Sequence, residues 1–477
     1  MNFNKRIHLL ALAMVLCAYE ACKTPSLVQS PNVKNAPGSY AQPGDTSSSA
    51  TIRWREFFKD PYLISLIDTA LQNNQELAIA LQEVEIARNE IRIRKGQLLP
   101  KAEAGLGAGM EKVGRYTSQG AGDASTDITP GREVPEWLPD YRAGIFASWE
   151  ADIWKKLRNA RQAAVTRYLS TAEGRNFVIT NLIAEIAHDY YELLALDNEL
   201  EIVRQTITLQ KNALEVVRIQ KQAAAATELA VKKFEAEVLS SQNLEYDILQ
   251  KIQAKENTLN FLLGRYPTSI ARDTTLFLKQ VPWHVSAGLP SQLLKNRPDI
   301  RQAELDLSAA RLDVKIARAE FYPSFNITGA IGFQAFNPAY LIKFPESLLS
   351  SVAGDLAGPL INKHAIKAEY SNANSRQIQA LYQYERSILN AFVEVSTEIS
   401  NLDKFDKMYE TKAKEVDVLN ASVDISGELF RSARADYLEV LLTQRDALEA
   451  KMELVETKLN QFNTITNMYR TLGGGWN

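Results

Sequence analysis

The sequence predicts a mixed α and β membrane protein in which long helical hairpins accompany amphipathic strands, with one plan used twice along the chain. Three observations predict it. Very long segments lack Gly and Pro, four stretches alternate apolar and polar residues, and the two halves resemble each other. The chain has 477 residues and a net charge of −3. A chain this close to neutrality lacks the basic surface typical of nucleic-acid-binding proteins.

The first residues have the pattern of a secretion signal. Lys5 and Arg6 precede an apolar segment over 7–18, which is too short to span a bilayer. No apolar run of about 18 residues follows in the rest of the chain, so we do not expect a transmembrane helix in the mature protein.

Both cysteines lie at the end of this signal. Cys22 follows Ala21 and precedes a polar stretch, whereas Cys17 follows a large residue. We therefore predict a signal peptide over 1–21, a lipid on Cys22 and an extended segment over 22–53 rich in Pro, Ser and Asn. The alternative is an ordinary cleaved signal in which the cysteine is incidental.

Helix length is the next feature. Three segments contain neither Gly nor Pro and are dominated by Ala, Leu, Glu, Lys, Gln and Arg, which favour helix: 175–263, 360–426 and 428–472. A helix of 60 residues is ~90 Å long. Near-heptad apolar spacing, as at Leu438, Leu441 and Leu448, predicts that these helices pack as hairpins.

The chain also repeats itself. When Pro100 is aligned with Pro323, Ala87-Arg88 falls on Ala310-Arg311 without a gap. We predict a first structural repeat over 54–283 and a second over 284–477. Each would contain a helix, two strands and a helical hairpin.

Four stretches alternate with period two, which predicts strands with one apolar and one polar face. They lie near 101–113, 141–154, 323–336 and 348–360. In the second stretch Tyr141, Ala143 and Ile145 alternate with Arg142, Gly144 and Phe146. The lengths suit tilted membrane strands of about 9–11 residues.

Four strands are too few to enclose a membrane barrel, for which eight is the usual minimum in a single bacterial chain. Open strand edges cannot face lipid, because each unpaired backbone group there costs several kcal/mol. If these strands enter a membrane, several subunits must share one barrel around a wet lumen.

Enzymatic and cofactor sites are not predicted. Gly105–Gly109 superficially resembles a phosphate-binding loop, but it does not join a strand to a helix. The four histidines, His8, His188, His284 and His364, have no partner at metal-ligand spacing. We therefore expect no cofactor, no metal and no catalytic residue.

Several short motifs occur in a recognisable order. They are Trp54 with Asp60-Pro61, Gly288-Leu289-Pro290, Asn296-Arg297-Pro298-Asp299-Ile300, Phe321-Tyr322-Pro323, Asp436-Tyr437-Leu438-Glu439-Val440 and Leu472-Gly473-Gly474-Gly475-Trp476. With these motifs the chain resembles the TolC-like outer-membrane factors, the lipoprotein channels of resistance-nodulation-division efflux pumps. The resemblance extends from Trp54 to Trp476.

The resemblance implies a homotrimer in the outer membrane, with four strands per subunit in a twelve-stranded β-barrel. A long α-helical coiled-coil barrel would continue it into the periplasm. It also implies passive conduction of exported small molecules, with a periplasmic adaptor and an inner-membrane pump as partners. A periplasmic adaptor or structural coiled-coil lipoprotein is the alternative function. Only one helical hairpin, between β-rich halves, is expected in an adaptor.

The chain departs from the family pattern at several turns. The family often has Gly at both hairpin turns, where this sequence has Ala224 and Ala433, so we expect these turns to be more helical. Lys155 and Lys363 stand near the usual Gly positions after the second and fourth strands.

A periplasmic gate is expected at the second hairpin turn. Three copies of Asp436 would meet on a threefold axis, and rings of carboxylates are a known way to build cation-selective constrictions. Arg434 and Tyr437 are candidates for holding the closed end. The alternative is that Arg434 and Asp436 form an exposed charge pair of little energetic consequence.

Overall fold

The computed structural model describes residues 37, 39–40, 47–275, 277–279, 285–359, 362–432 and 434–476. It divides the chain into two compact units. The first, which we call the sheet unit, contains Ile86–Tyr168 and Leu305–Leu381. The second, the helical unit, contains Asn32–Glu85, Leu169–Glu304 and Tyr382–Asn477.

Ten α-helices and six strands lie in the described ranges. The helices are α1 Trp54–Phe57, α2 Pro61–Asn73, α3 Gln75–Gly96, α4 Ser118–Asp123, α5 Lys156–Gln222, α6 Glu228–Leu262, α7 Pro290–Asn296, α8 Pro298–Ala319, α9 Lys363–Arg431 and α10 Tyr437–Thr471. The strands are β1 Lys101–Glu111, β2 Asp127–Thr129, β3 Arg132–Glu133, β4 Leu138–Ala151, β5 Ser324–Ala335 and β6 Leu348–Ala357. No described helix is both long and apolar enough to cross a bilayer.

The sheet unit is built on one antiparallel sheet in the order β1-β4-β5-β6. Its register brings the predicted apolar faces of all four strands to one side. Leu106 lies opposite Ala143, Ala143 opposite Phe333, and Phe333 opposite Leu348. Because directly opposed residues of an antiparallel pair share a face, the alternation read from the sequence describes the whole sheet.

Two glycines allow β4 and β5 to approach closely. Gly144 lies opposite Gly332, and a Cβ atom on Gly332 would collide with the backbone of Ala143 and Gly144. Any larger residue would force the two strands apart here, so this pair permits the close approach of β4 and β5.

The strand ends differ from the predicted ones for local reasons. β4 begins at Leu138, because Leu138 and Pro139 still oppose Glu111 and Met110. It ends at Ala151 because the Asp152 carboxylate accepts the backbone N–H groups of Leu157 and Arg158, each at 2.9 Å, at the start of α5. The polar connection after β1 is also structured, since it contains α4 and the β2-β3 hairpin.

Equivalent elements recur in the same order in both halves. The helices before the strands, α3 and α8, each have 22 residues, and the last helices of the two halves, α6 and α10, each have 35 residues. The connection between the strands differs, because 112–137 in the first half is longer than 336–347 in the second. The alignment of the two halves therefore needs a gap at this connection, where the first half carries α4 and the β2-β3 hairpin.

The two helical hairpins end alike. Gly264 and Gly473 follow α6 and α10 with φ of 66° and 89°, a left-handed conformation that favours glycine. A Cβ atom on either would collide with a backbone oxygen, that of Asn73 or of Asn296. The C-terminal Gly-rich motif is therefore a helix end that packs on the junction before α8.

The helical unit has its own apolar core. Phe57 stacks on Tyr469 with ring centroids 3.9 Å apart, and Tyr191 stacks on Phe462 at 4.6 Å. The extended segment before α1 joins this core, because Ser49 N–H donates to Ser286 O and Tyr469 OH donates to Ile52 O.

Candidate functional site

The polar face of the sheet carries a groove. The groove, of about 310 Å³, crosses all four long strands on this side. Its lining residues are Lys101, Glu103, Phe146, Ala147, Ser148, Thr328, Gly329, Ala330 and Ser351. Most belong to the polar set, and only Ala147 and Gly329 come from the opposite set of the alternation. The groove therefore belongs to the polar face of the sheet.

The apolar face carries large exposed side chains. Leu106 is 89% exposed and Val352 is 86% exposed, and both lie on this face. Exposed apolar side chains across a whole sheet face mark a surface that meets lipid or protein.

The first hairpin turn, between α5 and α6, has the left-handed backbone conformation typical of glycine, although it contains no glycine. Ala224 has φ of 55°, and Ala225 N–H donates to Gln220 O at 2.8 Å. Thr227 Oγ1 then accepts from Ala230 N–H at 3.2 Å and caps α6. The expectation of a more helical turn is wrong for Ala224, because α5 stops at Gln222 and this residue is left-handed. Lys155 also adopts the glycine-like conformation, with φ of 60°, whereas Lys363 begins α9.

The second hairpin turn contains the predicted gate residues. Arg434 N–H donates to Leu429 O at 2.8 Å, and the Asp436 carboxylate accepts from Tyr437 N–H at 2.7 Å at the start of α10. Asp436 and Arg434 are exposed, whereas Tyr437 is half-buried. Ala433 lies outside the described residues.

The two turns share one small apolar cluster. Phe234 and Val231 of the first hairpin pack with Phe430 and Val440 of the second, and Tyr437 contacts this cluster.

The two turns differ in their ion pairs. Arg218 pairs with Glu235 at 3.0 Å in the first hairpin, but no ion pair between described residues includes Arg434 or Asp436. Both side chains are exposed to solvent in this subunit.

Arg297, noted in the sequence only as part of a motif, is a buried connector. Its guanidinium donates to both oxygens of Asp299, at 2.9 and 2.7 Å, to Glu394 at 2.7 Å and to Thr471 O at 3.0 Å. Burial lowers the pKa of this guanidinium, but the bonds to Asp299 and Glu394 outweigh it, so the pKa is raised. The residue ties α8, α9 and the end of α10 together.

Asn74 holds the equivalent place in the first half. Its amide donates to Leu262 O at 2.9 Å, and its oxygen accepts from Leu77 N–H at 2.9 Å. Leu262 and Thr471 both end a hairpin, so one amide and one guanidinium satisfy corresponding carbonyl groups.

Lys458 was missed by sequence reasoning, which interprets charges on long helices as a solvated face. The side chain is buried, with its ammonium 4.5 Å from the ring centroid of Tyr409 and 5.5 Å from that of Phe462. Burial lowers the pKa of Lys458 to about 8, although the charge of Asp406 acts in the opposite direction. No local sequence pattern distinguishes it from an exposed lysine.

Cys22, His8 and His284 lie outside the described residues. The ring nitrogens of His188 lie 2.8 and 3.0 Å from the amide oxygens of Asn463 and Asn467, and these hydrogen bonds give the ring a structural role. Within the described ranges no group of three His, Cys, Asp or Glu side chains is arranged to hold a metal ion.

Known proteins with a similar sequence are outer-membrane efflux proteins. Residues 66–265 and 289–474 match the family described as outer membrane efflux protein. The chain is 29% identical over 440 residues to the solvent efflux pump outer membrane protein SrpC of Pseudomonas putida, covering 92% of this chain and 91% of that protein. It is 28% identical over 475 residues to the pyoverdine export outer membrane protein OpmQ of Pseudomonas aeruginosa, covering 99% and 97%.

Solved structures share the fold. The outer-membrane channel OprN matches with a TM-score of 0.83 at 22% identity, covering 95% of this chain and all of that one. The open state of the MtrE outer membrane channel of Neisseria gonorrhoeae matches with a TM-score of 0.82 at 23% identity, covering 95% and 99%.

Proposed function

Because this chain belongs to the outer membrane efflux protein family, it is an outer-membrane efflux channel, and we propose that three copies of it form the conducting pore. The observation that carries the proposal is the sheet. Four strands present one exposed apolar face and one polar face that carries a groove. This is the arrangement required of a barrel wall between lipid and water.

Several copies are needed to pair the edges of that sheet. β1 and β6 each pair with only one described strand, and an open edge in lipid would leave unpaired backbone groups. Pairing β6 of one subunit with β1 of the next removes both edges. Three subunits then give twelve strands, an even number within the range of bacterial barrels.

The transport partners are proposed from the relatives. SrpC is named for a solvent efflux pump and OpmQ for pyoverdine export. We assign this chain to a comparable tripartite system, in which a periplasmic adaptor and an inner-membrane pump deliver small molecules to a passive channel. The family match over both halves of the chain disfavours the adaptor alternative.

The lipid anchor remains a proposal from the sequence. A lipidated Cys22 would place the N-terminus in the periplasmic leaflet of the outer membrane, beside the barrel. Cells labelled with a fatty-acid analogue should yield labelled wild type and unlabelled Cys22→Ala. Label that persists in this variant would refute the anchor without affecting the channel.

The gate proposal rests on the second hairpin turn. Asp436 and Arg434 are exposed there without an ion-pair partner among the described residues, while Tyr437 is fixed by the apolar cluster. Three carboxylates brought together in a narrow mouth would repel one another and attract cations. Asp436 would set cation preference, and Arg434 and Tyr437 would hold the closed end.

Planar-bilayer recording tests channel and gate together. Purified protein should run as a trimer in mild detergent and conduct ions. Asp436→Ala should weaken cation preference, Asp436→Arg should shift it toward anions, and Arg434→Ala should raise basal conductance. Glu228→Ala, at an exposed ion pair with Lys221 in the other turn, is the matched control. Unchanged ion selectivity in both Asp436 variants would refute the gate proposal. A stable monomer that conducts no ions would refute the channel proposal.

A further inference from the structure

One aromatic side chain lies on the polar face of the sheet. Phe146 of β4 lies opposite Glu103 of β1 and Ala330 of β5. The other phenylalanines of the four long strands, Phe325 and Phe333, lie opposite Leu356 and Leu348 on the apolar face. The ring is half-buried, because it lies against Gly105 of β1, and its remaining surface lines the groove on this face.

The surroundings of Phe146 form a mixed site. Among the described residues that line the groove it is the sole aromatic one, and three hydroxyl-bearing residues accompany it, Ser148, Thr328 and Ser351. Lys101 and Glu103 form an ion pair at the β1 side, and both side chains are well exposed. The groove thus offers a ring, hydroxyl groups and both signs of charge within about 310 Å³.

A row of glycines borders the ring. Gly105, Gly144 and Gly332 lie side by side across three strands, in the next row of the same face. A Cβ atom on Gly105 would lie 3.3 Å from the ring of Phe146. No side chain from these three positions can cover the ring, which leaves the groove open beside it.

We propose that this groove binds solutes that carry an aromatic ring with a polar or charged substituent. Phe146 stacks against the ring, while the hydroxyl groups and the Lys101–Glu103 pair accept the polar part. The inference rests on the proposed function, since only in a channel does the polar face line the path of exported molecules. We expect weak binding, because a single stacking contact in an open groove lets the solute leave as readily as it enters.

Block of single-channel current tests the site with a defined probe. Tryptamine should interrupt the wild-type current at lower concentration than n-hexylamine, which has the same charge but no ring. Phe146→Ala should raise the half-blocking concentration of tryptamine by about threefold to tenfold, the range expected for one aromatic contact. Phe146→Tyr should retain the wild-type value. Phe333→Ala removes a phenylalanine from the apolar face and should leave block unchanged.

The outcomes separate this site from the channel itself. Equal tryptamine block in wild type and Phe146→Ala, with normal ion conductance in both, would overturn the site and leave the channel intact. An equal rise in Phe333→Ala would overturn it too. Phe146→Leu keeps the bulk of the side chain and replaces Phe146→Ala if the latter does not insert. A wild-type trimer that conducts no ions would overturn the channel and, with it, the site.

Discussion

Replacing Arg297 by alanine tests how the helical unit is held together. The Arg297 side chain is 5% exposed and binds Asp299, Glu394 and the Thr471 carbonyl. Alanine removes every one of these bonds and leaves two carboxylates without their cation. Breaking a buried ion pair in this way costs about 3–5 kcal/mol. Because Asp299 and Glu394 are 22% and 28% exposed, water replaces part of the loss, and we expect about 3 kcal/mol.

The equivalent residue of the first half supplies the matched variant. Asn74→Ala removes the donor to Leu262 O and the cap on Leu77 N–H, at a cost of about 2 kcal/mol. No charge is left unpaired there. Arg297→Lys keeps the charge but loses the planar fork, so its stability should lie between that of wild type and that of Arg297→Ala.

Thermal unfolding in detergent, followed by circular dichroism at a helix wavelength, measures these differences. The order of melting temperature should be wild type, then Asn74→Ala, then Arg297→Ala. High salt should narrow the difference between the two variants only slightly, since buried charges are poorly screened. An Arg297→Ala protein that melts at or above Asn74→Ala would refute the reasoning.

Ala224→Gly should raise the melting temperature by relieving a left-handed alanine that costs about 1 kcal/mol, whereas Ala223→Gly should not. Gly332→Ala should prevent a heat-resistant trimer on gels, since its Cβ collides with β4, whereas Gly329→Ala, with 3.5 Å to Ser351 O, should be tolerated. The pKa of Lys458 falls from 10.5 unfolded to about 8 folded, so the unfolded chain binds more protons between these pH values and stability should rise with pH there. In Lys458→Met the melting temperature should no longer rise with pH over this range. A rise that persists in this variant would contradict the assignment to Lys458.

Local sequence pattern determined much of this protein. Helix positions follow from the long segments without Gly or Pro, and both hairpin turns fall where the sequence indicated. Period-two alternation assigned the two faces of the sheet, including the place of Phe146 among polar residues. The fold class and the channel function followed from these patterns and the ordered motifs. Such features are periodic along the chain, so neighbouring residues are sufficient to reveal them.

Which charges are buried, and what they bind, depends on contacts between distant parts of the chain. Arg297 meets Thr471 from a distant part of the chain, and Lys458 lies over Tyr409 on another helix. Neither contact leaves a trace in local spacing, because a lysine on a long helix, or an arginine at the junction of two helices, has the same pattern whether it faces water or a neighbour. The left-handed Ala224 shows the same limit, since its conformation is imposed by the contacts of two packed helices against the preference of its own side chain.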